Sequence, residues 1–229
     1  MNDLGRAAGR FGTGPLSRAA ALVYSLLLVE VLLVLTTLPG LVPLFLLDRH
    51  SSNLPLVALC ALPLGPALAA ALYALHHHRP DLTDLKPAVL FWRGYRANFL
   101  GALAIWAPWL AWLTIVALNL SNFAAAAVPG WWRIPLVLVA VGVTLWGVNA
   151  LVITSLFRFR VRDVARLALH FLGHTPGVTL GTLSLLVLAA GVVWVTSEAV
   201  LGLLGSVVVL ALVRNCRPLI GKVKEEFTA

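Results

Sequence analysis

Long apolar runs separated by short polar stretches account for most of this chain. Six of the runs approach the roughly 20 residues that a helix needs to cross a bilayer. They cover residues of about 19–38, 54–75, 98–120, 134–157, 177–195 and 199–213. Pro39-Gly40 and Pro43 are expected to break or kink the first, since proline removes a main-chain donor and clashes with the preceding turn. Leu62-Pro63-Leu64-Gly65-Pro66 interrupts the second, so kinks are expected at Pro39/Pro43 and at Pro63/Pro66. The sixth run is short and must stand close to the membrane normal or thin the bilayer. Only Thr196-Ser197-Glu198 separates the fifth run from the sixth. Fusing those two gives a five-span alternative. The pattern predicts an all-α membrane protein, a single polytopic domain over residues 1–229 built as a bundle of six transmembrane helices.

The positions of the basic residues orient this bundle. With the N-terminus inside the cell, Arg6, Arg10 and Arg18 fall inside. Arg79, Lys86, Arg93 and Arg96 follow, then Arg158, Arg160, Arg162 and Arg166, then Arg214, Arg217, Lys222 and Lys224. Only Arg49 and Arg133 fall outside, a split of 15 to 2 among the 17 basic residues. Cytoplasmic loops carry such an excess of Lys and Arg, so the split selects six spans over five. It places the chain in the cell (inner) membrane with both termini cytoplasmic. Trp131-Trp132, beside Arg133, is expected to form an aromatic belt at the outer surface.

Composition narrows the class further. The chain is 60% hydrophobic and 11% charged, against soluble averages of roughly 45–50% and 25%. A soluble core of this size has no room for so much apolar surface, and the solvent must be lipid. The net charge of +8 sits in loops flanking apolar runs. It reads as orientation and contact with anionic inner-leaflet lipids, not as a nucleic-acid surface. Cys60 lies in an apolar run and Cys216 in the basic tail, at different levels, so no disulfide is expected. The N-terminal basic residues and apolar run mimic a signal peptide, but the run is too long, and a retained first helix is expected.

Two basic, partly apolar segments lead directly into spans. One is Ala88 to Phe99, through Arg93-Gly94-Tyr95-Arg96, and the other is Val164 to Pro176. Both are expected to be amphipathic elbow helices at the inner interface. Arg93, Arg96, Arg158, Arg160 and Arg162 are the expected contacts with lipid headgroups or a partner. The two hairpins read equally as a loose internal repeat, a feature of transporters, or as two ordinary basic elbows.

Chemistry-bearing residues are few. Glu30 lies about 12 residues, or roughly 18 Å, into the first run, near the bilayer midplane. An ionised side chain there costs at least about 2.5–3.5 kcal/mol. It is therefore a candidate proton, cation or ligand site, with Asn149, Thr144, Tyr73 and Ser184 as candidate neutral partners. The plainer account is a protonated Glu bonded between helices. The interrupted segment with Pro63 and Gly65 lies beside it, and neighbouring broken helices often frame a midplane site. Trp106, Trp109 and Trp112 surround Pro108 in the third run. They serve either as a stacking path for an amphipathic ligand or, more simply, as packing against small residues. Gly177-xxx-Gly181 is a spacing that lets helices approach closely.

His170-xxx-His174 has zinc-ligand spacing but no third ligand and no intervening Glu, so neither a metal nor a cofactor is expected. His76-His77-His78 reads as interfacial. Asp81, Asp84, Asp163, Glu225 and Glu226 mix with basic residues on solvated faces. No phosphate-cradling loop, nucleophile elbow or triad pattern is present.

The stretch Leu62-Pro63-Leu64-Gly65-Pro66-Ala67-Leu68-Ala69-Ala70-Ala71-Leu72-Tyr73 resembles the YesL family of small bacterial membrane proteins. So do the basic-aromatic segment ending Tyr95-Arg96-Ala97-Asn98-Phe99 and the second segment through Thr175-Pro176, where the family pattern has Asn-Pro. The resemblance implies no catalytic residues and no settled biochemical activity. It implies an accessory role beside carbohydrate uptake by ABC-type sugar transporters, with a permease or its ATPase as partner. The chain is thus expected to be non-enzymatic, with an independent small-molecule or ion transporter around Glu30 as the alternative. Oligomeric state is left open.

Overall fold

The computed structural model describes residues 15–48, 50–78, 86–123 and 129–227. Arg6, Arg10, Arg49, Arg79, Asp81 and Asp84 lie outside the described residues. Ten α-helices and two single 3-10 turns form the described chain, without a strand. Four helices are long and apolar enough to cross a membrane, and a fifth crossing is made if one bent pair counts as a span.

Helix α1 spans Pro15–Leu46. The break expected at Pro39 and Pro43 does not occur, because the helix runs through both prolines. One turn earlier, the Thr36 and Thr37 hydroxyls bond back to the carbonyls of Leu32 and Leu33 at 2.7 and 2.8 Å. In apolar surroundings, leaving the helix would strand many main-chain groups where proline strands one or two. The second run does bend, as the prolines there predict. Helix α2 (Leu54–Cys60) and helix α3 (Leu64–His76) meet at 45° across residues 61–63. Pro63 precedes α3 and Pro66 sits in its first turn, where a missing N–H costs little.

Helix α4 spans Pro87–Ser121 and starts on a proline. The first expected elbow, Ala88–Phe99, is therefore not a separate helix but the first turns of this 35-residue element. No proline or glycine pair interrupts it there. Phe91, Gly94 and Asn98 are buried along one face, so packing carries the helix straight into the span. The third run thus begins about ten residues earlier than its hydropathy suggested.

A 3-10 turn at Gly130–Trp132 leads into helix α5, Arg133–Leu156. Helix α6 (Val161–His174) is separate and amphipathic. It buries Val164, Leu167, Ala168 and Phe171 and exposes Arg162, Arg166 and His170. Helix α7 spans Pro176–Val195. The sixth run divides at Leu204 into helix α8 (Glu198–Leu203) and helix α9 (Gly205–Asn215), each too short to cross alone. Helix α10 spans Arg217–Phe227 and buries Leu219, Ile220 and Val223.

Helix α3 is the axis of the bundle. Ala67, Ala69, Ala70, Ala71 and Ala74 are almost wholly buried, and these short side chains let α1, α4, α5 and α9 all close on it. Helix α7 is peripheral: only Val178 and Thr182 are buried along it, and Trp194 near its end is 91% exposed. That surface is what lipid contact requires.

Interhelical bonds align the levels of the helices. Ser25 of α1 meets His78 after α3 at 3.2 Å. Asn98 of α4 donates to the carbonyl of Ser155 in α5 at 2.9 Å. Asn215, ending α9, donates to the carbonyl of Val178 at the start of α7 at 3.0 Å. These contacts gather the start of α1, the end of α3, the start of α4, the end of α5, helix α6, the start of α7 and helix α10 at one end. All the described basic residues except Arg133 belong to that end. Arg133, at the other, lies 4.8 Å from the centre of the Phe123 ring.

Candidate functional site

Glu30 projects from the middle of α1, and its partner is a main-chain group. The N–H of Ser206 donates to Glu30 Oε2 at 2.6 Å. Ser206 is the second residue of α9, so its N–H is one of those a helix start leaves unpaired. The division of the sixth run at Leu204 creates that free donor, and Glu30 accepts from it. A carboxylate is also the group that the positive end of a helix dipole favours. Gly205 eases the approach, since a Cβ there would lie a tight 3.3 Å from Glu30 Oε1. Oε1 itself is buried and has no hydrogen-bond partner among the described residues.

The four neutral partners expected for Glu30 do not form this bond. The Thr144 and Ser184 hydroxyls turn back to carbonyls of their own helices, Ala140 at 2.7 Å and Leu180 at 2.9 Å. Tyr73 packs against Gly94, where a Cβ would come within 2.8 Å of it, and its ring lies 4.2 Å from that of His77. Asn149 is 1% exposed, and both polar atoms of its amide lack a partner among the described residues. Residue types alone gave no hint of a main-chain partner. The signal in the sequence was Gly202-Leu203-Leu204-Gly205, two glycines in a short apolar run.

Pro63, Gly65 and the tryptophans form a second cluster around the α2–α3 bend. At the bend the carbonyl of Ala61 accepts from the N–H of Leu64 at 3.2 Å, and Trp106 Nε1 donates to it at 2.9 Å. A Cβ on Gly65 would collide with the Trp106 ring. Trp109 Nε1 donates to the carbonyl of Val143 at 3.0 Å, and a Cβ on Gly147 would collide with that indole. The two rings lie 4.5 Å apart. Both indoles are thus buried and tied to the main chain of neighbouring helices. Trp112 is half-exposed and stands apart from them. Glu30, Asn149 and the tryptophan pair are not joined by any hydrogen bond among the described residues.

The basic end carries open clefts. One, of about 760 Å3, is lined by Ala88, Val89, Trp92, Arg93 and Arg96 on the first turns of α4. Arg158 and Arg160, in the link between α5 and α6, and Arg162 in α6 are exposed at the same end. The link is held by Phe157 and Phe159, stacked 5.8 Å apart and packed on the core. Trp146 Nε1 donates to the carbonyl of Ala165 at 3.0 Å and fastens α6 to α5. His170 and His174 stack at 3.8 Å, with His174 Nδ1 3.0 Å from the carbonyl of His170. Among the described residues no group of three or more His, Cys, Asp or Glu has the arrangement to hold a metal ion.

Residues 26–120 match a family model described as "Protein of unknown function, DUF624", the family to which YesL proteins belong. The matched segment contains Glu30, the α2–α3 bend, the α3 axis and most of α4. No curated protein and no solved structure matches the chain.

Proposed function

From the match of residues 26–120 to the DUF624 family model, we propose a non-enzymatic, multi-pass protein of the bacterial inner membrane that assists carbohydrate uptake beside an ABC-type sugar transporter. Both termini lie in the cytoplasm in this reading, and α8 and α9 together make a sixth, broken crossing. Their 18 residues from Glu198 to Asn215 would reach about 27 Å as a helix, close to the hydrocarbon thickness.

One observation carries the accessory role. Most polar side chains inside the bundle are committed to main-chain groups: Trp106 to Ala61, Trp109 to Val143, Asn98 to Ser155 and Asn215 to Val178. Two open clefts lie at the basic end. Recognition through polar contacts therefore belongs there, where Arg93, Arg96, Arg158, Arg160 and Arg162 face anionic headgroups and the cytoplasmic side of a permease or its ATPase. The sugar class follows from the family resemblance. Purification of the tagged chain from native membranes in mild detergent tests this. A sugar permease or its ATPase should accompany it, and recovery of the intact chain without either defeats the accessory role.

A second reading, an independent transporter, is favoured by the unpartnered Oε1 of Glu30 beside a helix break. In proteoliposomes, Glu30→Gln would then abolish proton- or ion-coupled flux while the protein stays folded. Unchanged flux would return Glu30 to a purely structural role.

A further inference from the structure

We infer that the cleft between the α6–α7 junction and the α9–α10 junction is a binding site for a phosphate-bearing anion. It encloses about 430 Å3 and is lined by His174, Gly177, Arg214 and Lys222 among others, with no acidic side chain among the described lining residues. Its two cations come from one wall, Arg214 in the last turn of α9 and Lys222 in α10. The opposite wall is the α6–α7 corner. The cleft thus gathers two exposed cations on adjoining helices, with no acidic side chain among its described lining residues to neutralise them, and an anion in it would be attracted to both.

The walls are fixed, not loosely opposed. Asn215, next to Arg214, donates to the carbonyl of Val178 and to Thr182 Oγ1, each at 3.0 Å. Gly181 makes room for that amide, since a Cβ there would collide with it. Lys222 Nζ donates to the carbonyl of His174 at 3.3 Å, which spans the cleft and leaves two ammonium hydrogens for a ligand. Within the cleft, a Cβ on Gly177 would meet nothing within 4 Å. Space, two cations and a fixed frame thus coincide at the end of the bundle where α7 begins. Basic pockets between membrane helices at the cytoplasmic face recognise phospholipid headgroups by this chemistry. A soluble phosphate compound offers the same group. The site rests on the membrane reading of the fold and is independent of any role in sugar uptake.

Thermal unfolding of the full chain in maltoside detergent tests it, with dioleoyl phosphatidylglycerol, dioleoyl phosphatidylcholine or inorganic phosphate added. Phosphatidylglycerol should raise Tm by about 3 °C, as a ligand bound only to the folded state does. Phosphatidylcholine should not. A matching rise with inorganic phosphate identifies a soluble anion as the occupant; a rise with the lipid alone identifies the headgroup. Arg214→Gln/Lys222→Gln should abolish the rise, whereas Arg18→Gln/Arg166→Gln, which removes equal charge at the same end, should keep it. Gly177→Leu, which fills the cleft and leaves its charges, should also abolish it and serves if the double variant unfolds. The site is overturned if neither anion raises Tm, if the double variant and Gly177→Leu respond like the parent, or if the control variant loses the response equally.

Discussion

At the scale of single residues, glycine and a large or polar neighbour work as matched halves of one contact. Gly65 receives Trp106, Gly147 receives Trp109, Gly94 receives Tyr73, Gly181 receives Asn215 and Gly205 receives Glu30. Between membrane helices there is little hydrophobic gain to be had, because lipid is as apolar as the core. Close approach and hydrogen bonds to exposed carbonyls must supply the association. Gly147→Ala should therefore cost about 2–3 kcal/mol, from crowding and from the displaced indole bond to Val143. Trp109→Phe should cost about 1 kcal/mol, and adding it to Gly147→Ala should cost less than the sum, because the two changes remove one contact. Thermal unfolding of the four proteins measures that coupling. A different residue-scale effect belongs to His78, beyond the end of α3. Burial pulls its pKa below the ordinary value of 6.5, and its Nε2 has no partner among the described residues. The folded state thus favours the neutral ring. The associated stability is present above about pH 6.5 and is lost as pH falls through that value toward the folded pKa. His78→Gln should flatten Tm between pH 7 and 5 relative to the parent chain.

At the scale of elements, the breaks in the helices are where side chains from other helices do the most. Ala61 at the α2–α3 bend is served by Trp106 of α4, and Ser206 at the start of α9 is served by Glu30 of α1. Trp106→Phe keeps most of the ring but removes the shorter of the two bonds to the Ala61 carbonyl, leaving it the Leu64 N–H at 3.2 Å, at a cost of about 1 kcal/mol. It should also loosen the bend, so that the half-buried free thiol of Cys60 reacts faster with a membrane-permeant maleimide. An unchanged rate would show that the indole is not what holds the bend. These elements also mark how far the sequence could be read. The bend at Pro63 was legible, because a proline interrupts the main-chain ladder of its own helix. The run through Pro39 and Pro43 was not, since the same residue type is carried there within one continuous helix. The merging of Ala88–Phe99 into α4 was hidden as well. Arg93 and Arg96 lower the local hydropathy, yet they lie on the exposed face of a helix whose other face packs on α3. The division at Leu204 has no proline to announce it, and the acceptor that satisfies it lies 176 residues away. For the candidate site, the presence of Glu30 was plain from its charge, but its partner was a main-chain group that no residue type encodes.

At the scale of the whole molecule, the levels of the helices and the distribution of charge are two independent constraints that agree. Hydrogen bonds between helices collect their ends at one level or the other without reference to charge, and the basic residues then fall almost wholly on one of those levels. A chain inserted in the opposite sense would carry that charge across the bilayer, against the bias that governs insertion. The proposed topology thus makes a joint prediction about distant sites. In a background with Cys60→Ala and Cys216→Ala, single cysteines at His78, Arg166 and Lys222 should resist an impermeant maleimide added to intact cells and react once the membrane is opened. Cysteines at Ser52 and Asn122 should react in intact cells. Lys222 is the decisive position, because it follows the broken sixth run. If His78 and Arg166 are protected while Lys222 reacts from outside, α8 and α9 do not cross the membrane, five spans replace six, and the C-terminal basic helix leaves the face that the other basic residues share.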